Sequence, residues 1–370
     1  MFSDEDSEYM ARALALAHRG LYTTGANPRV GCVLVSQGNV IGEGWTQPVG
    51  EAHAEVEALN DCTVSPAGAT AYVTLEPCSH HGRTPPCCDS LIKHKIARVV
   101  VASVDPNPLV SGSGIERLRD AGIEVEVGLL DEENQALNCG FFSRMKRGRP
   151  WVRLKLAASL DGRTALASGE SRWITSEASR SDVQLWRARA NCILTGVGTI
   201  LADNPRMTVR LPQERWTIEY DRQPLLAVVD SSLRTPIDAR IFDRDGKVVI
   251  YTNTNKSMHE KCEVNYHLSP TVSGNISLSG VLRDLAQREI NEVHVEGGAN
   301  LSASLLSENL IDELIVYIAP NLLGSDARSL FEFMGPQLMA ERPEFEISDV
   351  SRIGPDVRLV LNPRAKKATH

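Results

Sequence analysis

The chain has 370 residues, of which 42% are hydrophobic, so two domains are expected because one core rarely serves a chain of this length. The net charge is −8, and residues 1–147 hold 12 Lys+Arg against 19 Asp+Glu while the rest hold 27 against 28; this disfavours nucleic acid as a partner. The acidic N-terminus does not resemble a signal peptide and no apolar run is long enough to span a membrane, which predicts a cytoplasmic protein without a membrane segment. Several of the eight cysteines lie beside histidine, which predicts metal ligands or free thiols and no disulfides.

The first part of the chain alternates predicted helices and strands. In chain order these are helix SEYMARALALAHRG, a hairpin of VGCVLV and VIGEGW, helix HAEVEALN, strand ATAYVTL, helix PPCCDSLIKHK, strand ARVVVAS, helix GIERLRDAG and strand IEVEVG. This pattern predicts an α/β sandwich built on a mixed sheet. The basic segment RMKRGRP, residues 144–150, precedes a new strand, so we place the domain boundary between residues 146 and 147.

The second part is again predicted to be α/β. Its elements are strand WVRLKLAAS, helix EASRSDVQLWRARA, strands CILTG, LLAVVD and KVVIYT, helix GVLRDLAQRE, strand EVHVEGG, helix LSASLLSE, and strands LIVYIAP, FEISDV and VRLVLN. The segments GVGTILADNP and VEGGANL are predicted as Gly-bearing turns near strand ends. Neither has the GxGxxG pattern, so a Rossmann dinucleotide site is excluded, although the second turn precedes a helix N-terminus that could hold a phosphate.

Three separated residues of the first part form the pattern of a zinc deaminase. His53 and Glu55 stand in HAE, and Cys78 follows proline in EPC, with further cysteines downstream. One imidazole and two thiolates would give zinc three protein ligands, which leaves the fourth tetrahedral position for a water with a lowered pKa. Glu55 would carry a proton from that water to the ring nitrogen and the leaving amine.

The third ligand has to be chosen between two adjacent cysteines. Cys87 directly follows the proline pair in PPCC and is expected in the first turn of a helix, whose dipole favours a thiolate. We therefore prefer Cys87 to Cys88 as the ligand. His80 and His81 lie between the cysteines and could compete, but we interpret them as a polar loop that lines the substrate cleft.

Long motifs identify a resemblance to the bifunctional riboflavin-biosynthesis deaminase/reductase family. They are NPRVGCVLV, HAEVEAL, TLEPCSHHGRTPPC and DPNP in the first part, and KLAASLDGRTA, SGESRWITS, GVGTILADNP, VEGG and DELIVYIAPNLLG in the second. The resemblance covers nearly the whole chain. It implies an N-terminal cytidine-deaminase-like domain, a C-terminal dihydrofolate-reductase-like domain, and a long intercysteine loop that supports Cys87.

The resemblance also implies which residues meet the ligands. In the first domain, Asn27 would bind the pyrimidine edge and Arg83 the substrate phosphate, whose oxygens match a planar guanidinium. The implied NADPH contacts are Ala157, Trp173, Thr199, Asp203, Ser231, Gly298, Ala299, Asn300, Leu301, Ser302, Ala303 and Ser304. The implied substrate contacts of the second domain are Ser171, Arg187, Met207, Arg210 and Glu296.

Several of these residues have alternative roles that are purely structural or involve only solvent. Arg187 and Arg210 would clamp a phosphate or be ordinary solvated charges, and Lys155 and Asp161 would orient the ribose or form an ion pair at a strand end. Thr46 stands where many relatives carry His, so it would contact the sugar phosphate through a neutral hydroxyl or leave that contact to Arg83.

The predicted activity is therefore a deamination followed by a reduction. The implied cofactors are one Zn²⁺ in the first domain and NADPH in the second, the substrate is a phosphoribosylated pyrimidine, and a homo-oligomer is expected. Two competing hypotheses are a deaminase that acts on nucleic acid, which the acidic first part disfavours, and a zinc scaffold without catalysis. The scaffold would need a fourth protein ligand, such as Cys88 or His80.

Overall fold

The structure, a computed structural model, describes residues 2–79, 85–108, 110–211, 222–254 and 276–364, together with the backbone of 263–266. The chain divides into two compact units, Met1–Gly148 and Arg149–His370. No helix among the described residues is both long enough and apolar enough to span a bilayer.

The first unit is a five-stranded mixed sheet with helices. The helices are α1 (Asp4–Arg19), α2 (Ala54–Asp61), α3 (Cys87–Lys93), α4 (Ser113–Asp120), α5 (Asp131–Leu137) and α6 (Cys139–Arg147), and the strands are β1 (Gly31–Ser36), β2 (Asn39–Trp45), β3 (Thr70–Leu75), β4 (Arg98–Ser103) and β5 (Glu124–Val127). The strand order is β2-β1-β3-β4-β5. β1 is antiparallel to both of its neighbours, whereas β3, β4 and β5 are parallel.

All predicted elements of this unit are present, but two helices were not predicted. The segment 144–150, interpreted as a separator between domains, begins inside α6, which extends to Arg147. Phe141 and Phe142 are buried in the core of the first unit. This short helix was missed because its apolar residues are adjacent rather than spaced with a helical period.

Two glycines of β2 allow α2 to lie directly against the sheet. A Cβ atom at Gly42 would lie 2.2 Å from the carbonyl oxygen of Ala58, and one at Gly44 would lie 2.3 Å from that of Ala54. These separations are far below any van der Waals contact. The glycines of GEG therefore set the distance between the sheet and the helix that begins immediately after His53.

Gly44→Ala is expected to lower the free energy of unfolding of the first unit by about 1–3 kcal/mol, because the new methyl group pushes against the backbone of α2. The same displacement should move His53 and reduce the zinc content. Thermal melting and metal analysis of the purified variant test this expectation. A variant with the wild-type melting temperature and full zinc content would contradict it.

The second unit contains eleven strands, nine in one sheet and two in a small separate sheet, and four α-helices among its described residues. Its strands are β6 (Trp151–Ser159), β7 (Arg163–Ala165), β8 (Cys192–Gly196), β9 (Leu225–Val229), β10 (Val248–Thr252), β11 (Glu263–Tyr266), β12 (Glu292–Val295), β13 (Glu313–Ala319), β14 (Arg328–Ser329), β15 (Phe345–Ile353) and β16 (Asp356–Pro363), and its helices are α7 (Glu177–Arg189), α8 (Val197–Asp203), α9 (Leu278–Gln287) and α10 (Ala299–Ser307). The sheet order is β11-β10-β9-β8-β12-β6-β13-β16-β15, and β7 pairs with β14 separately. In this order the first seven strands, from β11 at the edge to β13, are parallel to one another. β16 pairs antiparallel with β13, and β15 pairs antiparallel with β16.

The predicted elements of the second unit are also present, with one correction. The segment GVGTILADNP was predicted as a turn, but most of it forms α8. The helix buries Val197 and Ile200, whose spacing of three residues is helical. The glycines, which suggested a turn, instead lie at the helix start, where Gly196 is the N-cap.

Candidate active sites

The candidate deaminase site lies at one edge of the first sheet. Because β1 is antiparallel to β3, the segment before β1 lies beside the end of β3, where the amide of Gly31 donates a hydrogen bond to the Thr74 hydroxyl at 3.1 Å. The end of parallel β4 is there too, since the amide of Glu76 bonds the carbonyl of Ser103 at 3.0 Å. Residues far apart in the sequence therefore meet at this edge.

Three predicted ligands come together at this edge. His53 is the N-cap of α2, Cys78 follows β3, and Cys87 is the first residue of α3. The His53 Nδ1 atom lies 3.3 Å from Cys87 Sγ and 3.6 Å from Cys78 Sγ. In a tetrahedral site with Zn–S near 2.3 Å and Zn–N near 2.0 Å, the nitrogen and sulfur ligands are about 3.5 Å apart. The donor set and its spacing thus fit one zinc ion.

The pKa values of the two thiols shift in opposite directions. Hydrogen bonds from Cys87 and from His53 lower the pKa of Cys78. The pKa of Cys87 is raised, first because its thiol bonds to Cys78 and then because it is buried. Both thiols must lose their protons when a metal binds.

Glu55 is placed for proton transfer beside the three donors. Its side chain is buried on the first turn of α2, two residues after His53. Burial, followed by the negative charge of Cys78, raises the pKa of Glu55 to about 7. A carboxyl group with a pKa near neutrality can both accept and donate a proton.

Cys88 faces away from the cluster. Its thiol donates hydrogen bonds to the carbonyl oxygens of Pro77, at 3.2 Å, and Gly114, at 3.5 Å. Burial raises the pKa of Cys88 to about 12, so this thiol stays protonated. Within the described part of the chain, His53, Cys78 and Cys87 form the single group of at least three possible metal ligands. Cys88 therefore does not provide the fourth ligand that a zinc scaffold requires; His80 and His81 lie outside the described residues.

Glu76 is a buried residue of this site that the sequence analysis missed. Its carboxylate accepts hydrogen bonds from the backbone amides of Asp105, Gly112, Gly114 and Ile115, at 3.1, 2.9, 2.8 and 3.2 Å. It thereby holds the loop after β4 and the start of α4 against the segment that carries Cys78. The available signal was an acidic residue directly after an apolar strand.

The structure places the predicted substrate residues of the first unit as follows. Asn27 lies in the loop before β1, and its side-chain amide makes no hydrogen bond to the residues that the structure describes. Arg83 falls outside the described residues. Thr46 is buried, and its hydroxyl accepts a hydrogen bond from the amide of Val30 at 3.1 Å. The Thr46 hydroxyl is thus used to hold the loop before β1.

The second unit has a pocket of about 340 Å³ beside α7. Lys155 and Glu296 line it from β6 and from the end of β12, and Trp173, Arg187 and Arg210 also line it. Of the predicted substrate residues, Arg187, Arg210 and Glu296 are therefore brought together. Ser171 and Met207 do not line this pocket.

A polar stripe on α7 was missed by the sequence analysis. Four further lining residues are Glu177, Arg180, Ser181 and Gln184. With Arg187 they follow a spacing of three and four residues, which places them on one helix face. This periodicity was visible in the sequence, but a polar face on a helix usually faces water, so it gave no reason to expect a pocket.

Arg187 and Glu296 form a buried ion pair in this pocket. The Arg187 guanidinium contacts both carboxylate oxygens of Glu296, with the Nη2 contact at 2.8 Å, and donates to the carbonyl of Thr208 at 2.8 Å. The Arg187 charge holds the pKa of Glu296 well below its usual range despite burial. The Arg187 donors are thus largely occupied, which leaves Arg210 as the better partner for an external anion.

Lys155 lines the pocket, whereas Asp161 forms hydrogen bonds that hold a turn. Burial lowers the pKa of Lys155, which lines the pocket. Asp161 accepts hydrogen bonds from the hydroxyl of Ser159 and from the backbone amides of Leu323 and Gly324, the last at 2.9 Å. Asp161 therefore fixes a turn.

All predicted NADPH residues except Trp173, which lines the pocket beside α7, lie at or after the carboxyl ends of the parallel strands. Ala157 lies near the end of β6, Thr199 and Asp203 in α8 after β8, and Ser231 after β9. The remaining residues, 298–304, form the N-cap and first turns of α10 after β12. In open α/β sheets ligands bind at this edge. The start of α10 has no side-chain cap, so its amides suit a phosphate.

Each of the two parts of the chain matches a known protein family. Residues 3–103 match the family model "Cytidine and deoxycytidylate deaminase zinc-binding region", and residues 150–359 match "RibD C-terminal domain". The riboflavin biosynthesis protein RibD of Escherichia coli strain K12 is 49% identical over 96% of this chain and 99% of its own, and that of Haemophilus influenzae is 43% identical over 98% and 99%.

Solved structures show the same two-domain fold. The chain superposes on Acinetobacter baumannii RibD with a TM-score of 0.90 and 43% identity, covering 98% of this chain and 99% of that one. A Thermotoga maritima diaminohydroxyphosphoribosylaminopyrimidine deaminase/5-amino-6-(5-phosphoribosylamino)uracil reductase gives a TM-score of 0.87 at 32% identity, over 97% and 99%. The predicted fold, with a cytidine-deaminase-like first domain and a reductase domain after it, is confirmed. The chain belongs to the RibD family of bifunctional riboflavin-biosynthesis deaminase/reductases.

Proposed function

We propose that this chain catalyses two consecutive steps on one small substrate. The first is the hydrolytic removal of the 2-amino group of 2,5-diamino-6-ribosylamino-4(3H)-pyrimidinone 5′-phosphate, which releases ammonia. The second is the NADPH-dependent reduction of the ribosyl side chain, which gives 5-amino-6-(5-phosphoribitylamino)uracil. The observation that carries the proposal is the trio His53, Cys78 and Cys87 with the buried carboxyl of Glu55 beside it.

In the deamination, the chain's residues hold a metal and move a proton. His53, Cys78 and Cys87 would hold zinc, which when bound supplies a water that ionises near neutral pH. Glu55 takes one proton from the attacking water and delivers it to the ring nitrogen; it then takes the second proton, from the hydroxyl of the resulting adduct, and delivers it to the amine, which leaves as ammonia. Asn27 would meet the pyrimidine edge with its side-chain amide, and Arg83 the phosphate.

In the reduction, the second unit binds and orients both ligands. NADPH, when bound, supplies the hydride for the first carbon of the ribose, and the start of α10 suits its phosphate groups. The pocket beside α7 would take the substrate, with Arg210 toward its phosphate and Lys155 and Glu296 toward the sugar. The ion pair with Arg187 keeps Glu296 in place.

The assignment of steps to domains follows from the positions of these residues. The zinc donors and Glu55 all precede residue 146, and the pocket residues and the implied cofactor contacts all follow residue 147. We therefore assign 1–146 to the deaminase and 147–370 to the reductase. A homo-oligomeric state and a cytoplasmic location stay predictions.

Ammonia release in the absence of NADPH tests the proposed first step. The zinc-loaded protein should release one ammonia per diaminopyrimidinone ribosyl phosphate and form the corresponding uracil. Pre-treatment with a chelator should abolish this release, and added zinc should restore it. Failure of the zinc-loaded protein to release ammonia from this substrate would refute the proposal.

Arg210→Ala is expected to weaken substrate binding in the reductase step by about 1.5–3 kcal/mol, which is the usual loss for a charged hydrogen bond. The KM for the deaminated substrate should rise accordingly, whereas the KM for NADPH should change little. Arg206→Ala is the matched control, because Arg206 is exposed and does not line the pocket. Equal KM values for Arg210→Ala and the wild type would remove Arg210 from the site.

A further inference from the structure

Asn138 is a buried residue that holds the loop before β1. It is 1% exposed and lies at the junction of α5 and α6. Its Oδ1 atom accepts a hydrogen bond from the amide of Arg29 at 2.8 Å, and its Nδ2 atom donates to the carbonyl of Arg29 at 2.9 Å. One side chain therefore satisfies both backbone groups of a residue 109 positions away in the sequence.

The Asn138 side chain provides the backbone of Arg29 with the hydrogen bonds that a neighbouring strand would provide inside the sheet. The pairing of β1 with β2 begins at Gly31 and the pairing with β3 at Cys32, so Arg29 lies beyond both ladders. The Arg29 guanidinium adds a second tie to the same region, since Nη1 donates to the carbonyl of Leu137 at 2.8 Å. The loop is thus anchored to the α5–α6 junction by three hydrogen bonds that involve Arg29.

Asn138 is itself held on its other side. Its Nδ2 atom also donates to Oδ1 of Asn134 at 3.0 Å, and Asn134 Nδ2 donates to the hydroxyl of Ser103 at 2.8 Å. Ser103 ends β4 at the edge where the zinc donors meet. A continuous set of buried amides therefore connects the end of β4 with the loop before β1, and such a network is rigid when all of its members are paired.

The anchored loop carries a group that is open to a ligand. Asn27 lies two residues before Arg29, and its side-chain amide makes no hydrogen bond within the part of the chain that is described. Pro28 between them restricts the backbone. Fixing the backbone of Arg29 therefore also restricts where the Asn27 amide can lie.

We propose that Asn138 is a positioning residue of the deamination step, which acts through the backbone of Arg29 to place Asn27 against the pyrimidine. This inference rests on the proposed function. It gives α5 and α6, which follow the matched deaminase region, a part in that site. Asn138 touches neither the substrate nor the metal donors in this role, so its effect is on substrate binding.

Asn138→Asp tests the inference with almost no change of shape. The carboxylate still accepts from the Arg29 amide, but it loses the donor to the Arg29 carbonyl and repels that oxygen. The KM for ammonia release should rise about tenfold or more. The zinc content, and the reduction of the deaminated substrate by the same protein, should not change.

The matched control is Asn134→Asp. Asn134 is equally buried in the same pair of helices and still accepts from Asn138 after the change, but it makes no contact with Arg29. Asn134→Asp loses the hydrogen bond to Ser103 but leaves both hydrogen bonds between Asn138 and Arg29, so its KM for ammonia release should rise clearly less than that of Asn138→Asp. An unchanged KM for Asn138→Asp, or an equal rise in both variants, would overturn the positioning role.

Hydrogen exchange supplies a measurement that does not depend on activity. The backbone amides of Asn27, Arg29 and Val30 should exchange faster in Asn138→Asp and Asn138→Ala than in the wild type and in Asn134→Asp. Unchanged exchange in both Asn138 variants would also overturn the inference, including when a variant has lost zinc. A wild-type protein that releases no ammonia would refute the proposed function instead, and the exchange result would still decide whether Asn138 holds the loop.

Discussion

Glu55→Gln is expected to bind zinc like the wild type and to release ammonia about a hundredfold to ten-thousandfold more slowly, the usual contribution of general acid–base catalysis. The amide keeps the shape of the buried side chain on the first turn of α2 but cannot accept a proton. His53, Cys78 and Cys87 are unchanged, so the metal donors remain. Metal analysis and an ammonia assay on the same preparation measure both parts of this expectation.

Glu57→Gln is the control for this result. Glu57 lies on the same helix two residues further along and is only half-buried. It should release ammonia at close to the wild-type rate, because no proton transfer is assigned to it. If Glu55→Gln kept more than about a few per cent of the wild-type rate, the role of Glu55 as proton carrier would be untenable.

Cys87→Ser is expected to weaken zinc binding by more than about a hundredfold, which exceeds the usual effect of changing a residue that only supports a ligand. Cys88→Ser should keep its zinc. The Cys88 thiol bonds the carbonyls of Pro77 and Gly114, and a serine hydroxyl can donate in its place. Competition with a chromogenic chelator measures both affinities, and equal zinc loss in the two variants would show that the ligand choice is wrong.

The zinc donors could be predicted because their chemistry restricts the residue types and their order. His, Glu, Pro-Cys and a later Cys at a helix start are an uncommon combination, and the structure brings His53, Cys78 and Cys87 together. The α/β class of the second unit could be predicted for a similar reason, since apolar strands alternate with helices. In both cases one local pattern carries the information.

The residues that support the sites could not be predicted in this way. Glu76 and Asn138 form hydrogen bonds with backbone amides and carbonyls, which almost every residue type has. The sequence therefore does not indicate which residues are their partners. The Thr46 hydroxyl likewise accepts a hydrogen bond from the amide of Val30, and the residue type at position 46 alone does not indicate this partner. Arg187 is bound by Glu296, and this contact depends on how α7 packs on the sheet.

Thiol protonation shows the same limit. The start of α3 was expected to favour a thiolate at Cys87, but the pKa of Cys87 is raised and that of Cys78 lowered. A helix of seven residues contributes a modest field, whereas the adjacent thiol acts through a direct hydrogen bond. The local pattern indicated the position of Cys87 in the helix, whereas the hydrogen bond with Cys78, which raises the pKa of the Cys87 thiol, depends on the tertiary fold.

The most direct test of two separate sites that act in order is NADPH oxidation by Glu55→Gln with two substrates. The wild type should oxidise NADPH with both the diaminopyrimidinone ribosyl phosphate and its deaminated uracil product. Glu55→Gln should oxidise NADPH at the wild-type rate with the deaminated substrate and hardly at all with the diamino substrate. Oxidation of NADPH by Glu55→Gln with the diamino substrate, or with neither substrate, would contradict the account.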